Sequence, residues 1–176
     1  MRESARKSPP LRDFRSYGRL EAVNALLVPG IATYYGWPRD FVGAIVLALA
    51  NLGLVIGLIV GALYWLAVAA RIERNSHPLS RALRVAHVAQ IPMLTVVVAA
   101  TSGVIGLTVV RGVSLSTGVA IIVTLLGALE YVNYYHVQLQ HFDNKPDWRR
   151  LLAGRGFRAA HMARDLATWR RVQRRL

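Results

Sequence analysis

The sequence contains no cysteine and few acidic residues, and both shortages limit what the protein can be. Without cysteine, the chain has no disulfide framework, no thiol nucleophile and no cysteine ligands for an iron–sulfur cluster. Only 9 residues are Asp or Glu, against 22 that are Lys or Arg, and the formal net charge is +13. A chain of 176 residues is expected to form one domain.

Charge is also scarce within four long stretches of the sequence. These apolar blocks cover residues 20–37, 41–70, 83–110 and 113–142. A stretch of about 20 apolar residues is long enough to cross a hydrocarbon core about 30 Å thick. The sequence therefore predicts an all-α, polytopic membrane protein with a transmembrane bundle of four helices over residues 20–142. A basic arm (1–19) precedes this bundle and a basic tail (143–176) follows it.

The basic residues lie almost entirely in segments that four crossings put on the same side. Only Arg39 and Arg111, two of the 22 Lys and Arg residues, fall in the other two connections. Because cytoplasmic loops are enriched in Lys and Arg, we expect both termini in the cytoplasm and the bundle in the cytoplasmic membrane. One alternative is that the first block, which is short and contains Pro29-Gly30, is a re-entrant or interfacial segment.

The second block contains Gly53, Gly57 and Gly61 at four-residue spacing, which places them on one helix face. Such a stripe allows another helix to approach closely, and the partner is either a helix of the same chain or a second copy in a homo-oligomer. Asn51 is interpreted as a structural residue that hydrogen-bonds to a hydroxyl on a neighbouring helix. Its candidate partners are Thr101, Ser102, Ser116 and Thr117.

Polar side chains occur at similar predicted depths near the cytoplasmic ends of three blocks. They form pairs three residues apart, so that each pair lies on one helix face: Glu21 with Asn24, His87 with Gln90, and Glu130 with Asn133. Together with Tyr134 they make up a predicted polar layer within the membrane. Glu130 is the deepest member, and His87 is its nearest candidate partner by depth.

A carboxylate inside a membrane must be paired, protonated or hydrated. Three interpretations of the polar layer remain open: a structural hydrogen-bond network, a polar cavity that handles a proton, an ion or a lipid headgroup, and a metal or haem site. The weak candidate ligands for a metal or haem are His87, His136 and His141, although their spacing matches no HxxxH, ExxH or HExxH pattern. No catalytic residue is predicted, and a general-base role for Glu130 or His87 ranks last.

The C-terminal tail has the pattern of a basic amphipathic helix. Its apolar residues Met162, Leu166, Trp169 and Val172 follow three- and four-residue spacing, and arginines occupy the rest of the helix. This pattern is typical of a helix that lies among anionic headgroups, but the apolar stripe is equally able to pack on the bundle or on a partner subunit. The predicted lipid or partner contacts are Arg158, Arg164, Trp169, Arg170, Arg171, Arg174 and Arg175.

These features favour a non-enzymatic subunit or a homo-oligomeric assembly of the cytoplasmic membrane, in contact with anionic lipids and without a cofactor. The alternative is a membrane-embedded enzyme or a haem or metal redox carrier that uses the region of His87, Glu130, His136 and His141. Nucleic acid is not a predicted partner, because the positive-inside rule already accounts for the charge and the sequence has no recognisable nucleic-acid-binding module.

Overall fold

The computed structural model describes residues 11–75, 77–139 and 158–175. Within these ranges the chain forms five α-helices and no β-strand, which confirms the predicted all-helical fold. The helices are α1 (Leu11–Gly36), α2 (Phe41–Ile72), α3 (His77–Arg111), α4 (Leu115–Tyr135) and α5 (His161–Gln173). Helix α2 is central, since it packs against α1, α3 and α4.

Three of the described helices have the length and composition of membrane spans. They are α2, α3 and α4, whose most apolar 18-residue windows have mean hydropathies of 2.5, 2.2 and 1.8. Helix α1 does not reach this level because Glu21, Asn24 and Pro29 interrupt its apolar residues. The chain is therefore compatible with a multi-pass membrane protein, and three crossings are supported by length and composition alone.

The glycine stripe of α2 lies inside the bundle. Gly53 packs against Val97 of α3, and Gly57 lies between Met93 of α3 and Glu130 of α4. Because these neighbours belong to the same chain, the stripe serves intramolecular packing. The alternative of a homo-oligomeric contact on this face of α2 is wrong.

Asn51 joins α2 to α1. Its Nδ2 donates a hydrogen bond to Oγ1 of Thr33 at 3.1 Å. The predicted partners on α3 and α4 are wrong, because Asn51 lies on a face of α2 that is turned towards α1. Among those predicted partners, Thr101 donates instead to the backbone carbonyl of Val97 in its own helix.

Two short connections meet at the end of the bundle that contains Asp40. The Asp40 carboxylate accepts from the amide of Gly43, which caps α2, and pairs with Arg111 at 2.6 Å. The hydrogen bond from Arg111, followed by that from Gly43, holds the pKa of Asp40 below its usual range. This ion pair is solvent-exposed, so its main effect is to fix the relative positions of the two connections rather than to stabilise the fold strongly.

Helix α4 ends at Tyr135, so the predicted fourth span to residue 142 is too long. After Tyr135 the chain turns, and Val137 pairs with Ala159 in an isolated antiparallel bridge. Oδ1 of Asn133 accepts from the amide of Leu139 at 2.8 Å, which stabilises this turn. The rest of the predicted span, including His141, lies outside the described residues. At the other terminus, α1 begins at Leu11, within the predicted basic arm.

We predict that Gly57→Val destabilises the bundle whereas Gly106→Val does not. A β-carbon at Gly57 lies 2.7 Å from Cε of Met93 and 2.8 Å from Cβ of Glu130, while nothing lies within 4 Å of one at Gly106. Overpacking of this kind costs about 1–3 kcal/mol. Thermal unfolding of the detergent-solubilised protein measures the difference, and equal melting temperatures for the two variants contradict the prediction.

Candidate functional site

Helices α1 and α4 bring two carboxyl groups together beside α2. We call Glu21 and Glu130 the carboxyl pair; they lie against Gly61 and Gly57, which are one turn apart on α2. Glu21 is only 7% exposed and Glu130 is half-buried. Their positions along α1 and α4 are near the end of the bundle that contains the α2–α3 connection and α5, which we call the basic end.

Tyr134 completes the site. Its buried hydroxyl donates a hydrogen bond to Oε1 of Glu21. Gly61 makes this contact possible, because a β-carbon at that position overlaps both the Tyr134 hydroxyl and the Glu21 carboxyl group. Gly57, one turn earlier on α2, accommodates Glu130 in the same way. Two glycines of the predicted packing stripe therefore also form the floor of the polar site.

The carboxyl pair is incompletely satisfied. Oε2 of Glu21 and Oε2 of Glu130 are buried and have no hydrogen-bond partner among the described residues. The ion pairs of the described chain involve Glu73, Asp165 and Asp40, and none includes Glu21 or Glu130. Because a buried carboxylate without a partner is costly, each of these oxygens must be protonated, hydrated or bound to a cation.

His87 does not contact Glu130 as predicted. Its Nδ1 accepts hydrogen bonds from Nη2 and Nε of Arg170, at 2.9 and 3.2 Å, and Gln90 accepts a further one from Arg170. The α3 residue that meets Glu130 at Gly57 is Met93, which is fully buried. The depth of His87 in the bundle therefore did not predict its partner, because its side chain is turned towards α5.

The predicted polar layer divides into separate groups. Glu21, Glu130 and Tyr134 form the site, and His87 and Gln90 hold α5 through Arg170. Asn133 lies in the last turn of α4, and its side chain binds the backbone of the turn that follows. Asn24 is half-buried on α1.

The predicted metal or haem ligands do not converge in the described part of the chain. No group of three or more His, Asp or Glu side chains there is arranged to hold a metal ion. Nδ1 of His87 already accepts from a guanidinium, and the ring of His136 packs on Tyr131 with 5.4 Å between centroids. His141 lies outside the described ranges.

Helix α5 packs on the basic end of the bundle. Met162 and Leu166 are buried in one apolar cluster with Tyr64 and Tyr134. Asp165 accepts from the Tyr64 hydroxyl at 2.9 Å and lies 3.4 Å from Arg71. Of the two alternatives for the amphipathic tail, packing on the bundle is thus observed for Met162, Leu166 and Trp169, whereas Val172 at the end of the stripe is exposed.

Sequence reasoning missed Asp165 and Tyr64, the polar contact that anchors α5. The available signal was an acidic residue next to Leu166 in an otherwise arginine-rich helix. Among the predicted lipid contacts, Trp169 packs on His87 and Arg170 is bound to α3, so both face the protein. Four others are exposed: Arg158, Arg171, Arg174 and Arg175. The last of the predicted contacts, Arg164, is also exposed, and its Nη2 lies 2.9 Å from Nδ1 of His161.

Comparisons with models of protein families, with curated proteins and with solved structures find no match for this chain. The chemistry of the site accordingly rests on its own residues: two carboxyl groups, a tyrosine hydroxyl and the two glycines that make room for them.

We expect Tyr134→Phe to destabilise the protein by about 1–3 kcal/mol, because it leaves Oε1 of Glu21 buried without its donor. Tyr131→Phe is the matched control, since it removes a hydroxyl from the same helix without affecting Glu21. Denaturant or thermal unfolding in detergent compares the two variants. A Tyr134→Phe protein as stable as the control contradicts the assigned hydrogen bond.

Proposed function

We propose that this chain is a non-enzymatic protein of the cytoplasmic membrane that binds and releases a proton or a small cation at the carboxyl pair. The observation that carries the proposal is that Glu21 and Glu130 lie against glycines one turn apart on α2, each with one buried oxygen that lacks a hydrogen-bond partner in the described chain. Oδ1 of Asn51 is also buried without a partner, but an amide is neutral, whereas an unpartnered carboxylate has a charge that must be compensated. Ion binding gives the two remaining oxygens a partner.

A four-span arrangement is part of this proposal, and the packing of α1 supports it. Gly18 of α1 lies against Leu66 near the end of α2, and Gly36 lies against Val119 near the start of α4. At 1.5 Å per residue, the stretch 18–36 is about 27 Å long, close to the thickness of a hydrocarbon core. Its apolar side chains also suit lipid, since Leu26 is 81% exposed.

The charges favour a cytoplasmic location for the basic end. Arg15 pairs with Glu73 at 2.7 Å, which joins the start of α1 to the end of α2 on the same side. Arg39 and Arg111 are the basic residues at the opposite end of the described bundle. The positive-inside rule therefore supports cytoplasmic termini.

Anionic lipids are the proposed partners of the basic end. Exposed arginines at the C-terminal end of α5, Arg171, Arg174 and Arg175, are available to headgroups. Each basic residue near an anionic leaflet contributes about 1 kcal/mol to its attraction. We retain the proposal that the chain joins a homo-oligomer or a larger membrane complex, through a surface other than the glycine stripe.

The topology prediction uses the absence of cysteine, because each introduced thiol is then the only one in the chain. We expect Ser16→Cys and Asn75→Cys to react with a membrane-impermeant maleimide only after cells are permeabilised. Arg39→Cys should react in intact cells. If Ser16→Cys and Asn75→Cys label from opposite sides, α1 does not cross and the four-span proposal fails.

The ion-binding prediction is tested by infrared spectroscopy of the protein in liposomes at different pH values. We expect a carbonyl band of a protonated carboxyl group that titrates in the wild type and is lost or strongly reduced in Glu130→Gln. Glu73→Gln is the matched control, because Glu73 is an exposed surface carboxylate. Addition of Na⁺ or K⁺ at fixed pH distinguishes the ions, since a bound cation displaces the proton and removes the band.

The proposal is contradicted if the wild type has no such titrating band. It is also contradicted if Glu130→Gln retains the band and differs from the wild type only in melting temperature.

A further inference from the structure

Helix α5 lies over the basic end close to the carboxyl pair. Met162 and Leu166 share an apolar cluster with Tyr134, whose hydroxyl holds Glu21. Met162 is 1% exposed and Leu166 is 3% exposed, so their contact with the bundle excludes water. The apolar residues of α5 therefore lie in the same cluster as the tyrosine that holds Glu21.

Two polar contacts hold α5 in place, five residues apart. Asp165 accepts from the Tyr64 hydroxyl and pairs with Arg71 of α2. Arg170 donates to His87 and Gln90 of α3. The helix is thus fastened to two different helices of the bundle.

The contact between Arg170 and His87 requires a neutral histidine. Both Nε and Nη2 of Arg170 are directed at Nδ1 of His87, and a guanidinium is only a donor. Protonation converts Nδ1 from an acceptor to a donor and sets two cations against each other. The two hydrogen bonds from Arg170 to His87 are then lost, and the two positive charges repel each other.

Protonation leaves two contacts in place, the hydrogen bond from Arg170 to Gln90 and the packing of Trp169 on the imidazole, so release requires the repulsion to exceed both. The remaining charged and titratable groups near His87 do not favour its protonated form. Arg84, one turn before it on α3, is a further cation. On α5, Trp169 packs on the imidazole ring, and Asp165 is engaged by Tyr64 and Arg71. From α4, Tyr135 donates its hydroxyl to the backbone carbonyl of Ala86.

We propose that α5 is a cover over the carboxyl pair, and that protonation of His87 releases it. The assignment of a regulatory role rests on the proposed ion-binding function. Protonation of His87 removes the acceptor for both Arg170 donors, so it loosens the half of α5 that contains Arg170. The contacts of Asp165, Met162 and Leu166 remain, so α5 swings away from α3 without leaving the bundle.

The test measures the distance from α5 to the opposite end of the bundle. Spin labels are placed at Ala167→Cys and Arg39→Cys in the full-length, otherwise cysteine-free protein in lipid vesicles. We expect one narrow distance distribution at pH 8 and a second population at pH 5.5. The ratio of released to docked α5 changes at most about tenfold per pH unit, the limit for one coupled proton.

Variants of His87 identify the group responsible. His87→Gln keeps an acceptor for Arg170 and does not titrate, so its narrow distribution should persist at both pH values. His87→Lys carries a permanent charge, so both populations should be present at both pH values. His77→Gln, which alters an exposed histidine of the same helix, should behave as the wild type.

The proposal is overturned if the wild-type distances do not depend on pH, or if His87→Gln responds to pH as the wild type does. Should His87→Gln not fold, Arg170→Gln gives a second test, because removal of the cation should abolish the response to pH. The measurement is repeated in Glu130→Gln, where the movement of α5 should persist. If α5 moves in Glu130→Gln but the wild type has no titrating carboxyl band, the release of α5 is supported and the ion-binding function is rejected.

Discussion

The contact between Tyr134 and Glu21 depends on a missing side chain at Gly61. A hydroxyl on α4 and a carboxyl group on α1 meet across α2 because glycine leaves the space free. Any larger residue separates the two groups and moves α1 or α4 away from α2. The positions of Glu130 beside Gly57 and of α5 beside Tyr134 both follow from this close approach.

The same glycines allow close helix packing and leave room for the polar side chains of the site. This dual use reflects how membrane helices associate. Lipid is as apolar as a leucine side chain, so burial of apolar surface drives helix association weakly and close backbone contact matters more. A buried carboxyl pair opposes this stability, because each group loses hydration on entering the bundle. The proposed ion would offset this cost, because an occupied pair no longer carries two uncompensated charges.

The level of the site along the helix bundle could be predicted from the sequence, whereas the contacts of its side chains could not. Charge asymmetry and helix rise brought Glu21, Glu130 and Tyr134 to a common depth. Depth does not specify the direction in which a side chain points around its helix, and His87 was assigned to Glu130 for that reason. Asn51 was misassigned for the same reason, because its neighbour Thr33 is on α1.

The ends of helices were also difficult to predict. The residues that follow Tyr135 continue the aromatic and apolar composition of α4, so periodicity alone does not predict where the helix ends. The signal is Asn133, whose side chain accepts from the backbone of Leu139 where the chain turns. For α5, the amphipathic pattern predicted a helix with an apolar stripe, but such a stripe is compatible with lipid or protein.

The arginines of α5 differ in their surroundings, and this difference shows which parts of the helix face the protein. Arg170 lies one turn after Leu166 on the same face of the helix, and its guanidinium reaches α3. Arg171 and Arg174 are exposed and remain available to headgroups. One helix can therefore pack on the bundle with one face and expose arginines on another. The contact between Arg170 and His87 belongs to the packed face, so the proposed release acts there and leaves the exposed arginines unchanged.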